Sequence, residues 1–157
     1  MGEAARILII DDDENILKVL ETILEDEGYV VETADTAKKG IEISKKAFYN
    51  LALIDIRLPD MEGIELLSKL RNTKPKMRKI IVTGYPTLQN AVAAVNKGAD
   101  AYVMKPFEVD KILQTIREQL KKQQEEKSFS EEKVVEFIET RIKALETTSQ
   151  SAVEKEA

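Results

Sequence analysis

The chain has 157 residues, a formal net charge of −5, no cysteine and no histidine. That composition excludes disulfides, thiolate metal sites, thiol nucleophiles, imidazole bases and Ser-His triads, and the acidic balance argues against a surface built to bind nucleic acid directly. Any chemistry must run on carboxylates, Lys, Thr, Tyr or a bound ion.

The first apolar, β-branched run, Ile7 to Ile10, reads as a strand and ends in three carboxylates, Asp11, Asp12 and Asp13. Met1 to Arg6 lead straight into it, so no signal peptide is expected. No stretch is long and apolar enough to span a bilayer, which predicts a cytoplasmic protein without membrane contact. Ile16, Leu17, Leu20, Ile23 and Leu24 follow helical spacing up to Gly28. Tyr29 to Thr33 predict a second strand, and Ala37, Ile41, Ser44 and Phe48 one face of a second helix. Leu51 to Ile54 predict a buried third strand, which delivers Asp55 and meets the turn signals Pro59, Asp60 and Gly63. Ile64, Leu67 and Leu70 predict a third helix, Ile80 to Val82 a fourth strand ending at Thr83-Gly84, and Leu88, Ala91, Val92 and Val95 a fourth helix closed by Gly98. Ala101 to Met104 predict a fifth strand ending at Lys105-Pro106, and Val109, Ile112, Leu113, Ile116 and Leu120 a fifth helix.

Strict strand-helix alternation with short loops predicts an α/β fold: a parallel sheet covered by helices on both faces. The uniformly apolar first and third strands predict central positions. The domain expectation is 1–124 for the main unit and 125–157 for a linker, a short amphipathic helix and a fraying tail from Thr147. Ser128 and Ser130 are candidate N-caps for that helix. Val134, Ile138, Ile142 and Leu145 lie on one of its faces, available to the domain, a second copy or another protein. Three turns alone are too short for a stable isolated coiled coil.

Asp11, Asp12, Asp55, Thr83 and Lys105 all fall at strand carboxyl ends, where open parallel sheets bind ligands. Converging carboxylates without a counter-charge resist joint ionisation. A hard divalent cation relieves this, and an all-oxygen donor set suits Mg²⁺. Lys105 offers a point charge for a phosphate oxygen, and Thr83 a hydroxyl donor. An ionised Asp can itself be the nucleophile in phosphoryl transfer. Asp13 reads as a helix cap and Asp60 as a turn residue.

Four pieces in order carry a resemblance: Ile9-Ile10-Asp11-Asp12-Asp13, Ile54-Asp55-Ile56-Arg57-Leu58-Pro59-Asp60-Met61-Glu62-Gly63, Ile81-Val82-Thr83-Gly84 and Gly98 through Lys105-Pro106-Phe107. Over roughly residues 5 to 124 the chain resembles the receiver domain of two-component response regulators, the CheY-like superfamily. The resemblance implies a doubly wound (βα)5, flavodoxin-like sheet of strand order 2-1-3-4-5, here with a short C-terminal helical extension. It implies Asp55 as phosphoacceptor, with Asp11, Asp12, Asp55 and the Arg57 backbone carbonyl around Mg²⁺. It implies that Thr83 and Lys105 grip the phosphoryl group, that Tyr102 is an aromatic switch answering Thr83, and that the bond before Pro106 is cis. Arg57 and Tyr85 flank the site, where they would tune dephosphorylation. The implied partners are a sensor histidine kinase and a downstream effector or output domain meeting the fourth helix and fifth strand, with a homodimer possible. The expectation is a signalling switch with self-phosphorylation and self-dephosphorylation chemistry, not a metabolic enzyme. Two alternatives stand beside it. One is an aspartate-nucleophile phosphatase of the haloacid dehalogenase type, pairing Asp11 with Asp13. The other is a receiver fragment of a longer regulator whose output domain has been removed.

Overall fold

The computed structural model describes residues 3–156, with side chains described for 3–146. Five strands alternate with five helices: β1 Arg6–Ile10, α1 Glu14–Asp26, β2 Val30–Ala34, α2 Ala37–Lys46, β3 Leu51–Ile54, α3 Gly63–Leu67, β4 Arg78–Thr83, α4 Leu88–Asn96, β5 Ala101–Met104 and α5 Val109–Glu156. All pairings are parallel, in the order β2-β1-β3-β4-β5. β1 and β3 are interior strands, as their apolar runs predict.

Strand alternation divides the core between the two faces of the sheet. Leu8, Ile10, Ala52, Ile54 and Ile81 point to the side covered by α2, α3 and α4. Ile7, Ile9, Leu51, Leu53, Ile80 and Val82 point to the side covered by α1 and the first turns of α5. Burial of these side chains, each worth about 1.5–3 kcal/mol against exposure, anchors the strand ends from which the functional groups emerge.

Phe48 and Leu70, expected on the second and third helices, lie beyond the ends of α2 and α3, and the structure departs further from the periodicity in three places. β4 begins two residues early, at Arg78, and every residue in it is buried. The charged ends disguise the strand because their charges are answered by long-range partners. Arg78 Nη1 lies 3.2 Å from Asp100, the Lys79 amide donates to Asp100 at 2.9 Å, and Lys79 Nζ donates to the Leu67 carbonyl at 2.5 Å. α4 presents its small residues inward: Ala94 is buried, and Ala93 packs partly on the core, whereas Leu88, Val92 and Val95 are exposed. The apolar spacing marks a real helix, but its large side chains face outward.

The third departure is the tail. α5 continues through the Lys/Gln/Glu run of 121–127 to Glu156, with no linker and no second N-terminus. Ser128 and Ser130 lie inside the helix and cap nothing. Lys, Gln and Glu are good helix formers, and two serines cost only a few tenths of a kcal/mol each, about what the neighbours supply. The stretch from Thr147, expected to fray, is helical to Glu156; its side chains lie outside the described residues. The chain forms two compact units, Met1–Gln123 and Gln124–Ala157. Gln123 is the last anchored residue of the first: its Nε2 donates to the Asn50 and Lys76 carbonyls, both at 2.8 Å, and its Oε1 accepts from Asn50 Nδ2 at 3.1 Å.

Candidate phosphoryl-transfer site

The site is built where β1, β3, β4 and β5 end. Asp11 follows β1, with its amide donating to the Ala34 carbonyl of neighbouring β2 at 3.1 Å; Asp55 follows β3, with its amide donating to Ile10 at 2.9 Å. Thr83 is the last residue of β4 and fully buried. Lys105 follows β5, and its amide donates to the Thr83 carbonyl at 2.8 Å. Each functional residue is thus held by the sheet's hydrogen-bond ladder or its immediate continuation, not by a free loop. The Lys105–Pro106 bond is cis.

Asp11, Asp12 and Asp55 each offer a carboxylate oxygen, all within 4.8 Å of one another. Lys105 Nζ lies 2.6 Å from Asp11 Oδ2 and 3.6 Å from Asp55 Oδ2. Asp11's other oxygen accepts from the Asp13 amide at 2.9 Å, so both of its oxygens are engaged within the protein. Asp55 differs. Its Oδ1 is buried and has no hydrogen-bond partner among the described residues.

Electrostatics follow from this geometry. Burial raises the Asp55 carboxyl above the ordinary carboxylate range, and the Asp11 charge adds to the effect against the opposing pull of Lys105. For Lys105, burial works to lower the ammonium. The Asp11 hydrogen bond and the Asp11 and Asp55 charges outweigh it and raise the group overall. One ammonium is therefore shared by the Asp11 and Asp55 carboxylates, and the Asp12 carboxylate stands beside them. An all-oxygen donor set, surplus negative charge and an orphaned buried carboxylate oxygen together fit a hard divalent cation such as Mg²⁺.

The β3–α3 loop is pressed against this centre. The Gly63 amide donates to the Ile56 carbonyl at 2.6 Å, and a Cβ at position 63 would land on the backbone carbonyl oxygen of Asp55. Only glycine lets the loop close that tightly behind Asp55, a requirement that the turn signal in the sequence did not convey.

The other predicted residues sort clearly. Thr83 Oγ1 accepts from the Tyr85 amide at 3.0 Å, at the same sheet edge as Asp55. Tyr102 stands on β5 opposite Ile81 of β4 and packs partly on the α2–α4 side of the core. Its hydroxyl is buried, and burial pushes the phenol up against a weaker opposing pull from the Thr87 backbone. Exposed Arg57, two residues past Asp55, stacks its guanidinium over the Tyr85 ring at 3.7 Å from the centroid. Asp13 caps α1, accepting from the Asn15 and Ile16 amides at 2.9 and 3.3 Å. Asp13 is thus a helix cap, which does not favour its use as the acid/base partner of Asp11 in a haloacid dehalogenase pattern.

Asp60 does more than turn the chain. It reaches across to α2 and accepts from the Ala37 and Lys38 amides, both at 2.9 Å. Those two bonds hold its carboxyl below the usual range. The partners lie more than 20 residues apart, so no local pattern could have revealed the contact.

Comparison with known proteins agrees with this geometry. The family model for the response regulator receiver domain matches residues 7–117. The uncharacterized transcriptional regulatory protein YkoG of Bacillus subtilis is 36% identical over 119 residues, 76% of this chain and 52% of that protein. A CheY-like response regulator receiver domain protein from Methanospirillum hungatei, solved by crystallography, is 52% identical with a TM-score of 0.75, covering 78% of this chain and 98% of that one. The solution structure of the beryllofluoride-activated NtrC4 receiver domain dimer is 33% identical with a TM-score of 0.70, covering 75% and 98%. The chain spans about half the length of the curated relative it matches. Its folded core, with an aspartate cluster suited to accept a phosphoryl group, belongs to the response regulator receiver domain family of two-component systems.

Proposed function

We propose that Asp55 is the residue phosphorylated, with a histidine kinase as donor, and that the chain acts as a Mg²⁺-dependent switch rather than as a turnover enzyme. The observation that carries this reading is the clustering of Asp11, Asp12 and Asp55 at the carboxyl edge of the sheet, with Lys105 paired to Asp11 and Asp55.

In the proposed step an Asp55 carboxylate oxygen attacks phosphorus, the P–N bond to the donor imidazole breaks, and an acyl phosphate forms. The departing imidazole takes its proton from solvent. Lys105 shifts from Asp11 towards the incoming phosphoryl oxygens, and the Thr83 hydroxyl gives up its contact with the Tyr85 amide to donate to one of them. Asp11, Asp12, Asp55 and the Arg57 carbonyl would hold Mg²⁺, which when bound supplies positive charge against the phosphoryl oxygens. Hydrolysis reverses the state: water attacks phosphorus and releases the Asp55 carboxylate and inorganic phosphate. The Arg57–Tyr85 stack stands beside the site and would govern how that water reaches it.

The output is carried by α4 and β5. Movement of Thr83 would open space beside Tyr102, into which the half-buried ring would turn. Leu88, Val92, Val95 and Met104 are exposed apolar side chains on these two elements, a surface suited to a downstream protein or an output domain. The relative named above as a receiver domain dimer supports self-association as a further mode. No helix among the described residues is long and apolar enough to cross a membrane, in keeping with the proposed cytoplasmic setting.

The test is intact-mass measurement after incubation with Mg²⁺ and acetyl phosphate. A single phosphoryl adduct that disappears in Asp55→Asn and in the presence of chelator is expected. An unmodified mass at saturating donor would refute the reading.

A further inference from the structure

The second compact unit carries an interaction surface that the phosphoryl chemistry does not use. From Gln124 to Glu156 the chain is one helix, and Val135, Ile138, Ile142 and Leu145 along it are 49–60% exposed. Their spacing is 3, 4 and 3 residues, the a–d alternation of a heptad, with Val135 and Ile142 at a and Ile138 and Leu145 at d. A drift to 3.5 residues per turn is what keeps such a seam facing a partner helix. Phe137 lies off the seam at c, and Phe129 at b is covered by the Lys133 ammonium, 5.4 Å from its ring centroid.

The flanking charges identify the occupant. In this register the e positions are Glu132, Glu139 and Glu146, and the g positions are Lys127, Val134 and Arg141. In a parallel pair of identical helices, g of one heptad faces e of the next on the partner. Lys127 then meets Glu132 and Arg141 meets Glu146, both of opposite sign, while Val134 meets Glu139. In an antiparallel pair e faces e, and three glutamates would line one side against three glutamates. β-branched residues at both a positions with Leu145 at one d favour two strands, against the pull of Ile138 at the other d towards three; the paired g and e charges decide for two. Ser128 at a and Glu131 at d make the first heptad of this register polar, so the apolar seam itself runs from Val135 to Leu145. A helix already formed from Val109 onward also removes the objection that three isolated turns cannot nucleate.

We infer that residues 127–146 form a parallel, in-register two-stranded coiled coil with a second copy of this chain. The seam is short, so the association is weak and concentration-dependent. It stands apart from the chemistry at Asp55, and either reading can fail alone.

The test uses the full chain in chelator, without phosphoryl donor. Sedimentation equilibrium should show the mass rising from 17.7 kDa towards twice that value with concentration. Ile138→Lys and Arg141→Glu should each return it to monomer, and adding Glu146→Arg to Arg141→Glu should restore the dimer. The chain has no cysteine, so introduced thiols report geometry cleanly. Leu145→Cys chains should oxidise to a disulfide-linked dimer, and a mixture of Val135→Cys and Leu145→Cys chains should give no mixed product. A monomer at every concentration together with no Leu145→Cys cross-link would overturn the inference. So would a mixed Val135–Leu145 cross-link, a trimer mass, or a dimer that survives Ile138→Lys.

Discussion

Asp55→Asn should stabilise the metal-free protein. At an effective dielectric of 20, Lys105 at 3.6 Å attracts the Asp55 carboxylate by about 4–5 kcal/mol, and an Asp11 oxygen within 4.8 Å repels it by about 3–4 kcal/mol or more. Asp12 adds a further, better-screened repulsion. The Coulomb terms nearly cancel, so desolvation of the carboxylate decides the balance, in line with burial as the leading cause of its raised pKa. A buried acceptor left without a hydrogen bond costs about 1–3 kcal/mol, and more when charged, so about 1–3 kcal/mol is a lower range for the gain. For a folded unit of this size that converts to a midpoint gain of about 4–12 °C. The assay is thermal unfolding by circular dichroism in chelator, repeated in Mg²⁺. Cation held tenfold above its dissociation constant stabilises the wild type by about 1.4 kcal/mol, so Mg²⁺ should narrow the gap, the variant having lost one ligand charge. The sign with pH follows from the raised folded pKa. The contribution of Asp55 is fully present below the ordinary carboxylate value and lost as pH rises through the folded value, and Asp55→Asn should flatten that decline. An Asn variant no more stable than wild type in chelator would refute the reasoning.

Gly63→Ala should be severe for so small a change. Its Cβ meets the Asp55 backbone rather than a flexible side-chain end, so the cost belongs at or above the top of the usual overpacking range of about 1–3 kcal/mol, read as a lower urea midpoint at unchanged slope. Phosphorylation should slow as well, since displacement by about 1 Å costs on the order of 100-fold; wild-type stability in this variant would contradict the described loop. Asp60 accepts two α2 amides and has a lowered pKa. Its contribution is present above the unfolded carboxylate value of about 3.9 and lost as pH falls through the folded value. Asp60→Asn should therefore shrink the acid-induced loss of stability below about pH 4, and identical acid limbs would exclude the contact.

The site was legible in the sequence because buried parallel strands read as apolar runs, and the first polar residue after each run marks the sheet's ligand-binding edge. Asp11, Asp55, Thr83 and Lys105 all announce themselves in this way. Periodicity established α4 as a helix but not which face it buries. The small Ala93 and Ala94 pack inward, and Leu88, Val92 and Val95 face out, the reverse of the size-based expectation. Arg78 and Lys79 hid the start of β4 because the groups that pair with them, Asp100 and the Leu67 carbonyl, lie far along the chain. The reach of Asp60 to α2 and the clearance behind Gly63 are likewise tertiary facts with no local signature. At the tail, two serines suggested a helix start where the helix-forming residues around them simply carry α5 through.

Locating the phosphoryl group tests the central claim most directly. Borohydride reduction of the acyl phosphate formed with acetyl phosphate and Mg²⁺, followed by tryptic mapping, separates the candidates. Asp55 lies in the peptide of residues 47–57, and Asp11 and Asp12 lie in that of residues 7–18. The account predicts reduction at Asp55 alone, dependent on Mg²⁺ and on Lys105. Label at Asp11 or Asp12, or none in the peptide of residues 47–57, would contradict it.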